Sequence, residues 1–271
     1  MSSHAPPEWE NPVRRTLREG RPVVGITVTT PSIEIAARAA ALGFDFLWIE
    51  MEHAPITLES LRAMVLACRG LPAVPFARVP VNELWTAKRV LDMGVHGVIF
   101  PFTSTPELAR QAVAACRYPP HGRRGCGPSL AMLSWPEPDR YHDSADENIM
   151  VVAVIEERQA IQNIEAIAAV EGIDVLFIGT ADLSFSLGLR GRQDDPLHAD
   201  AVASVLDAAR RHGKIAGRPA RDAAEINRFI QQGFLFFQAT NELNLLADGA
   251  RQLLAPLGKY LAPGQRRTIY G

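Results

Sequence analysis

The sequence predicts an α/β protein that forms a closed (β/α)8 barrel, or TIM barrel, in a single domain. Three observations support this fold class. Eight short runs rich in β-branched and aromatic residues recur along the 271 residues. The runs are almost continuously apolar, as is typical of strands that are covered on both faces. Segments of helical periodicity separate them, and several of these end at a glycine just before the next run, so strands and helices alternate as in a parallel sheet.

The predicted strands cover residues 23–28, 44–51, 74–80, 97–103, 150–157, 175–180, 214–220 and 234–241. The helical segments cover residues 32–42, 57–69, 83–93, 106–117, 161–170, 197–212, 222–232 and 243–257. An open, doubly wound sheet is the alternative to a closed barrel. Such sheets usually have a glycine-rich first turn, and the turn here, TVTTPSIE, contains no GxGxxG motif. The pattern therefore favours the barrel.

The composition excludes several classes of protein. Hydrophobic residues make up 47% and charged residues 21%, which is typical of a chain with a packed core. The net charge of −2, without an excess of basic residues, gives no reason to expect a nucleic-acid partner. The cysteines Cys68, Cys116 and Cys126 lack CxxC spacing, which argues against a disulfide framework or a structural zinc site. No apolar run has the length of a membrane span or a signal peptide, so we expect no membrane association and a cytoplasmic location.

The barrel is expected to occupy residues 21–257, between an N-terminal extension of residues 1–20 and a C-terminal tail of residues 258–271. One long connection, residues 118–148, interrupts the rhythm of strands and helices, and a short helix is predicted near residues 129–135. Connections of this length in a compact domain are usually functional. The adjacent Arg123 and Arg124 in it are interpreted as a solvated pair.

Charged residues follow several predicted strands. They are Glu50, Glu52 and His53 after the second strand, Arg78 on the third, Glu156 and Glu157 on the fifth, and Asp182 after the sixth. In a parallel barrel the carboxyl ends of all strands lie at one end, and that end carries the active site. We therefore expect these side chains to lie near one another and to form the functional site.

Glu156 and Asp182 are carboxylates from neighbouring strands, and with water they suit Mg²⁺ or Mn²⁺. The alternatives are a helix cap for Asp182 and a surface ion pair for Glu156. Arg78, inside an apolar strand, needs a partner anion, which is either a substrate carboxylate or one of Glu50 and Glu52.

His53 is a candidate general base, with a structural role as the alternative. Asp92 ends a predicted helix, where an acid is unfavourable. This position indicates either a specific partner or simple solvation.

The sequence resembles the HpcH/HpaI aldolases over about residues 23–254. The matching stretches are GFDFLWIEMEHAP (43–55), ARVP and LDMG (within 77–94), TPELARQAVAACRYPPHGRRGCGP (105–128) and IEERQAIQNIEAIAAVEGIDVLFIGTADLSFSLG (155–188). Members of this family are (β/α)8 barrels that use a metal ion to make or break a bond to a pyruvate enolate. The resemblance implies the same fold and chemistry here.

The resemblance also implies a role for each candidate residue. Glu156 and Asp182 match the metal ligands, and His53 matches the catalytic base. Asp92 matches the acid that pairs with a histidine across a subunit interface. Arg78 matches the arginine that holds the keto acid, whose carboxylate the backbone amides of Ala181 and Asp182 would receive. Family members are commonly hexamers, so a homo-oligomer is expected, as a trimer of dimers with the last helix packed on a neighbouring subunit.

The expected activity is that of a class II aldolase, which cleaves a 4-hydroxy-2-keto acid to pyruvate, or a related keto acid, and an aldehyde. The expected cofactor is Mg²⁺, Mn²⁺ or Co²⁺, and the expected partners are the keto acid and the aldehyde. An oxaloacetate decarboxylase or an enolate-capturing synthase on the same site is the main alternative. An acyl-CoA lyase and a non-catalytic barrel are further alternatives.

Four positions depart from the family pattern. Val154 replaces a usual glutamine, Thr180 a proline, Thr27 a tryptophan, and Thr240 lies where a glycine is usual. The metal and arginine positions are kept while their surroundings differ. We therefore expect the enolate chemistry with a different donor or acceptor.

Overall fold

The wall of the barrel is a parallel sheet in which each strand pairs with the next along the chain and the last pairs with the first. The structure, a computed structural model, describes residues 9–262. The strands are β1 (Val23–Val28), β2 (Phe46–Glu50), β3 (Val74–Arg78), β4 (Gly97–Phe100), β5 (Met150–Ile155), β6 (Val175–Ile178), β7 (Ile215–Pro219) and β8 (Phe236–Asn241). Each lies within a predicted run, so the predicted (β/α)8 barrel is confirmed and the open sheet is excluded.

The helices are α1 (Pro12–Arg18), α2 (Ile33–Ala40), α3 (Leu58–Ala67), α4 (Leu84–Asp92), α5 (Pro106–Cys116), α6 (Ser129–Ser134), α7 (Tyr141–Asn148), α8 (Arg158–Gln162), α9 (Ile164–Ala168), α10 (Thr180–Ser186), α11 (Pro196–Arg211), α12 (Ala223–Gln232) and α13 (Glu242–Leu254). Several begin at a side chain that accepts a hydrogen bond from the first turn, as Ser32, Thr57, Thr105 and Asp222 do. Such caps satisfy backbone N–H groups that lack a partner within the helix. No helix within residues 9–262 is long and apolar enough to span a membrane.

Alternate residues of each strand point into the barrel. The interior is packed with aromatic rings, and the Phe46 ring lies 5.2 Å from that of Phe76 and 4.5 Å from that of Phe236, measured between centroids. On β2, Glu50 follows Trp48 by two positions, and on β3, Arg78 follows Phe76 by two positions. The same alternation therefore directs Glu50 and Arg78 inward at the carboxyl end. The packed core thus forms the floor of the site.

Glycines on two strands make room for these rings, and replacing one should destabilise the barrel. A Cβ atom added at Gly97 would lie 2.5 Å from the Phe76 ring. We expect Gly97→Ala to lower the free energy of unfolding by about 1–3 kcal/mol, the usual effect of overpacking a core. Gly249→Ala in α13 is the control, because a Cβ there has no neighbour within 4 Å. It should leave stability unchanged or raise it by up to about 1 kcal/mol. Urea unfolding measures both, and equal stability of the two variants would contradict the prediction.

Helix α1 lies within the segment predicted as an N-terminal extension and packs against the barrel. Its Val13 and Leu17 are buried in the interior cluster with Val23. Asn11, just before the helix, donates its amide hydrogens to the carbonyl oxygens of His96 and Asn148. Residues 9–20 therefore cover the amino end of the barrel, while residues 1–8 and 263–271 lie outside the described part of the chain.

The long connection holds α6, as predicted, and also α7, which was not predicted. The sequence of α7, YHDSADEN, lacks an apolar periodicity, although Tyr141 and Ala145 are buried. The prediction of a solvated arginine pair was wrong for Arg124, which is only 2% exposed, whereas Arg123 is exposed. Arg124 lies between the rings of Tyr118 and Tyr141. Its burial depends on α7, which sequence periodicity did not reveal.

Helix α13 is attached to the barrel only at its start. Glu242 accepts hydrogen bonds from the backbone N–H groups of Thr29 and Thr30, at 2.8 and 2.7 Å. No residue of α13 is buried, and Leu246 and Leu253 are 71% and 70% exposed. The helix therefore presents an apolar surface to its surroundings.

Candidate active site

Arg78 is held at the carboxyl end of the barrel by two carboxylates. It is in register with Glu50 on the adjacent strand. Its Nε and Nη2 atoms both lie 2.7 Å from Oε2 of Glu50, and Nη1 lies 3.1 Å from Oε2 of Glu52. The Arg78 side chain is 14% exposed. Of the two alternatives for its partner, the structure shows the acids of the chain itself, because Arg78 pairs with both Glu50 and Glu52.

Glu50 fixes the turn that follows β2. It is buried, and its Oε1 accepts hydrogen bonds from the backbone N–H groups of Glu52 (2.8 Å) and His53 (3.1 Å). Its Oε2 also accepts a hydrogen bond from the Trp48 indole at 3.2 Å. The sequence placed Glu50 among the charged residues at this end of the barrel and as a possible partner for Arg78, but it did not assign Glu50 a role in fixing the turn. Its alternation with Trp48 along β2 is the signal that identifies it as an inward anchor of the site.

Glu156 follows β5 and is 2% exposed. Its Oε1 accepts a hydrogen bond from the Phe102 backbone N–H at 2.7 Å. Phe102 has a φ of 48°, an unfavourable conformation for a residue with a side chain. A Cβ atom at Gly179 would lie 2.6 Å from Oε2 of Glu156, so the carboxylate needs a glycine there. Glu156 forms no ion pair with the residues that the structure describes, so the interpretation of a surface ion pair is wrong.

The carboxylates of Glu52, Glu156 and Asp182 lie close enough together to repel one another. Burial raises the pKa of Glu156 to about 7, and repulsion from Glu52 and Asp182 adds to this, whereas the Phe102 hydrogen bond and Arg78 oppose it. Burial also raises the pKa of Glu52, against the attraction of Arg78. A bound cation would relieve this repulsion.

We expect the metal-free protein to lose stability as the pH rises from about 4.5 to 7, because of Glu156. The folded state keeps the Glu156 proton up to a pKa of about 7, whereas the ordinary value is 4.5. The folded state therefore binds more protons in this range, so stability falls as pH rises. Glu156→Gln, which is isosteric, should remove this dependence and stabilise the metal-free protein at pH 8 by about 1–3 kcal/mol.

Denaturant unfolding in the presence of a chelator, at pH 5 and pH 8, measures this effect. Glu157→Gln on the adjacent residue is the matched control and should keep the pH dependence of the wild type. An unchanged slope in Glu156→Gln would exclude Glu156 as its source.

Ala181 and Asp182 lie in the first turn of α10, and both are exposed. No acceptor within residues 9–262 takes a hydrogen bond from the backbone N–H of either residue. The N-cap of α10 is Gly179, and no side chain caps this helix. The interpretation of Asp182 as a helix cap is therefore wrong, and its carboxylate is available to a ligand.

His53 lies at the mouth of the site. Its side chain is 64% exposed, and Nε2 is 3.7 Å from Oε1 of Glu52. Its backbone is fixed by the hydrogen bond to Glu50 described above. Within residues 9–262, its ring therefore approaches one carboxylate, that of Glu52, and is otherwise largely open to solvent.

Asp92 lies apart from this cluster, at the end of α4. Burial raises its pKa, and its Oδ1 is buried without a hydrogen bond. The nearest cation is Arg124, whose Nη2 is 3.8 Å from Oδ1 and donates instead to the Tyr141 hydroxyl at 2.5 Å. No contact in the described part of the chain joins Asp92 to His53. The structure therefore brings together all the predicted site residues except Asp92.

Three of the positions that depart from the family pattern are buried near the carboxyl end of the barrel or in its interior. Val154 is buried in the interior cluster. The Thr27 hydroxyl accepts a hydrogen bond from the Gln238 side chain at 2.8 Å, which links β1 and β8. Thr180 is buried, and its carbonyl oxygen lies 3.1 Å from Nε2 of His198.

Known proteins resemble this chain over most of its length. The family model described as HpcH/HpaI aldolase/citrate lyase matches residues 26–249. A hydroxypyruvate/pyruvate aldolase of Cupriavidus necator is 36% identical over 246 residues, which cover 90% of this chain and 91% of the relative.

Two solved structures have the same fold. An HpcH/HpaI aldolase/citrate lyase family protein of Burkholderia cenocepacia is 31% identical with a TM-score of 0.85, and the match covers 92% of this chain and all of that one. A citrate synthase, SbnG, is 29% identical with a TM-score of 0.82, covering 92% and 98% of the two chains. The matched residues include the whole candidate site, and the chain belongs to the HpcH/HpaI aldolase/citrate lyase family.

Proposed function

We propose that this aldolase cleaves a 4-hydroxy-2-keto acid reversibly to pyruvate, or a related keto acid, and an aldehyde, with a divalent metal ion as cofactor. The observation that carries the proposal is the arrangement at the carboxyl end of the barrel. A mostly buried arginine, fixed by Glu50 and Glu52, adjoins the buried Glu156 and the exposed Asp182. This arrangement suits an anionic substrate that lies between a cation of the protein and a bound metal ion.

The donor groups fit a hard divalent cation. Glu156 and Asp182 supply oxygen ligands, and carboxylate repulsion at Glu156 favours a cation between them. Within residues 9–262, no three or more His, Cys, Asp or Glu side chains are grouped to hold a metal by themselves. Two protein ligands leave positions for substrate and water, and oxygen ligands suit Mg²⁺, Mn²⁺ or Co²⁺. When bound, the metal would stabilise the negative charge of the enolate.

The side chains and amides of the chain bind and orient the substrate. Arg78 pairs with the keto-acid carboxylate, and the backbone N–H groups of Ala181 and Asp182 donate to the same group. His53 takes the proton of the C4 hydroxyl while the C3–C4 bond breaks. The bond electrons remain on C3, the aldehyde leaves, and a proton added at C3 gives pyruvate.

A Schiff-base route has no suitable lysine. The sequence contains only Lys88, Lys214 and Lys259. Lys88 lies on α4, Lys214 precedes β7 at the amino end of the barrel, and Lys259 follows α13. None is at the carboxyl end of a strand, where a covalent intermediate with the keto acid would form.

A homo-oligomer completes the proposal, as a hexamer built from three dimers. Two features support it: the exposed leucines of α13, and the buried Asp92 oxygen that lacks a hydrogen bond. In this arrangement Asp92 orients the histidine at position 53 of a second copy. The free cysteines, with no disulfide among Cys68, Cys116 and Cys126, support the reducing cytoplasm as the compartment.

The test is a pyruvate-release assay with Mn²⁺ and a panel of 4-hydroxy-2-keto acids, coupled to lactate dehydrogenase. Release that requires both the metal and an aldol substrate supports the proposal.

The citrate synthase relative favours a second candidate function, a synthase that joins the enolate to another acceptor. An assay with oxaloacetate as the single substrate separates a decarboxylase from an aldolase. Pyruvate release from oxaloacetate and from none of the aldol substrates would contradict the aldolase activity. Condensation of oxaloacetate with a second acceptor, without any aldol cleavage, would identify a synthase.

A further inference from the structure

A second cavity, of about 740 Å³, opens beside Ala181. One side of the cavity is the connection from α10 to α11. The other side is formed by the end of β7 and the start of α12. Its charged and polar lining residues include Gln193, Asp194, Arg218, Arg221, Glu225 and Arg228. Neither Arg78 nor Glu156 lines it, so it adjoins the proposed active site without being part of it.

Arg218 is the distinctive residue of this cavity. It lies on β7, and its guanidinium carbon is 3.6 Å from the centroid of the Phe229 ring. Its Nε is buried without a hydrogen bond, and no carboxylate within residues 9–262 is near enough to form an ion pair with it. Burial lowers the pKa of Arg218 to about 10, so it is still a cation at neutral pH. A largely buried cation without a paired anion is unfavourable unless a ligand supplies the opposite charge.

Glu225 attracts Arg218 electrostatically, but within residues 9–262 it forms its ion pairs with two other arginines. Arg221 and Arg228 both pair with Glu225, at 3.0 and 3.1 Å. Asp194 is the remaining acid of the lining. The arginines therefore outnumber the acids, and the one that lacks a partner is the most buried. This charge distribution favours an anion.

We propose that the Arg218 cavity binds a phosphate or carboxylate group. Contact with Phe229 fixes the guanidinium, and its N–H groups remain free for the paired hydrogen bonds that such anions accept. Because the cavity reaches Ala181, the anion is either the far end of an aldolase substrate or a separate small molecule. Only the first source rests on the proposed function.

Isothermal titration calorimetry with inorganic phosphate and with glutarate tests the site. Pyruvate and Mn²⁺ are kept at saturation, so that the neighbouring site is filled. We expect Arg218→Gln to weaken binding at least tenfold. Arg228→Gln, which keeps the contact between Arg218 and Phe229, should weaken anion binding about threefold. This second variant keeps the proposal testable if Arg218→Gln does not fold. Arg38→Gln, at an exposed position on α2, is the matched control and should bind as the wild type does.

Kinetics separate the two sources. If the anion is the far end of the substrate, Arg218→Gln raises KM for 4-carboxybutanal at least tenfold and leaves KM for pentanal unchanged. If it is a separate molecule, phosphate still binds when 4-carboxybutanal is saturating, and both aldehydes react as in the wild type. Absence of phosphate and glutarate binding, or equal binding by wild type, Arg218→Gln and Arg228→Gln, overturns the proposal. Absence of aldol turnover contradicts the proposed function instead, since the binding measurement does not depend on it.

Discussion

Asp182→Asn is expected to abolish metal-dependent turnover while the fold stays intact. The substitution keeps one oxygen but removes the charge that, in the proposed site, would hold a divalent cation together with Glu156. Loss of metal stabilisation of the enolate costs several kcal/mol, which corresponds to about a thousandfold or more in rate. The Asp182 side chain is exposed and makes no hydrogen bond or ion pair with the described residues, so little stability should be lost. Steady-state kinetics with Mn²⁺, together with calorimetric titration of the metal, measure the two effects.

Asp200→Asn is the matched control, because Asp200 is also exposed and lies near the start of the next helix, α11. It should retain both metal affinity and turnover. Full activity of Asp182→Asn in the presence of a chelator would show that the metal assignment is wrong. Loss of activity with unchanged metal affinity would instead assign Asp182 to substrate binding alone.

Arg78→Ala is expected to raise KM for the keto acid and to lower kcat, with a combined loss of about a thousandfold. In the proposed mechanism the guanidinium would both bind the substrate carboxylate and orient it for cleavage, so both constants should change. The substitution also leaves Glu50 and Glu52 without their common partner, and we expect a loss of about 3 kcal/mol in the free energy of unfolding. Kinetics and urea unfolding separate the two consequences.

A second ion pair, between Arg14 and Asp174 at the amino end of the barrel, provides the control. The two atoms lie 2.9 Å apart, and the side chains are partly buried as in the Arg78 pair. Arg14→Ala should cost stability without changing KM. Arg78→Lys, which keeps the charge but not the paired geometry, should have an intermediate effect. Unchanged kinetics in Arg78→Ala would remove Arg78 from the site.

Much of the fold could be predicted because its determinants are local in sequence. The apolar runs that became β2, β5 and β6 are long enough to be recognised without tertiary information. Helix α7 was missed because its few buried residues do not form an apolar stripe, and α1 because it was taken as part of an extension. Both elements pack through contacts with residues more than a hundred positions away, as the hydrogen bonds between Asn11 and Asn148 illustrate.

The candidate site was located by one rule, that the carboxyl ends of parallel strands share one end of the barrel. That rule gathers Glu156, Asp182 and Arg78 but does not assign their partners. The resemblance to the aldolase family supplied their roles and that of His53, and these roles stay predictions. The double pairing of Arg78 and the burial of Arg124 were not predicted.

By itself, the sequence determined the order of strands and helices, the closed barrel, the family and the end of the barrel that carries the chemistry. These follow from hydrophobic periodicity and from short motifs, which act over neighbouring residues. Only the tertiary structure decided that Glu50 anchors Arg78, that Phe102 donates to Glu156 and that Arg218 forms no ion pair within residues 9–262. Each of these depends on the register of strands or on the packing of side chains distant in the chain, and a linear pattern does not encode those distances.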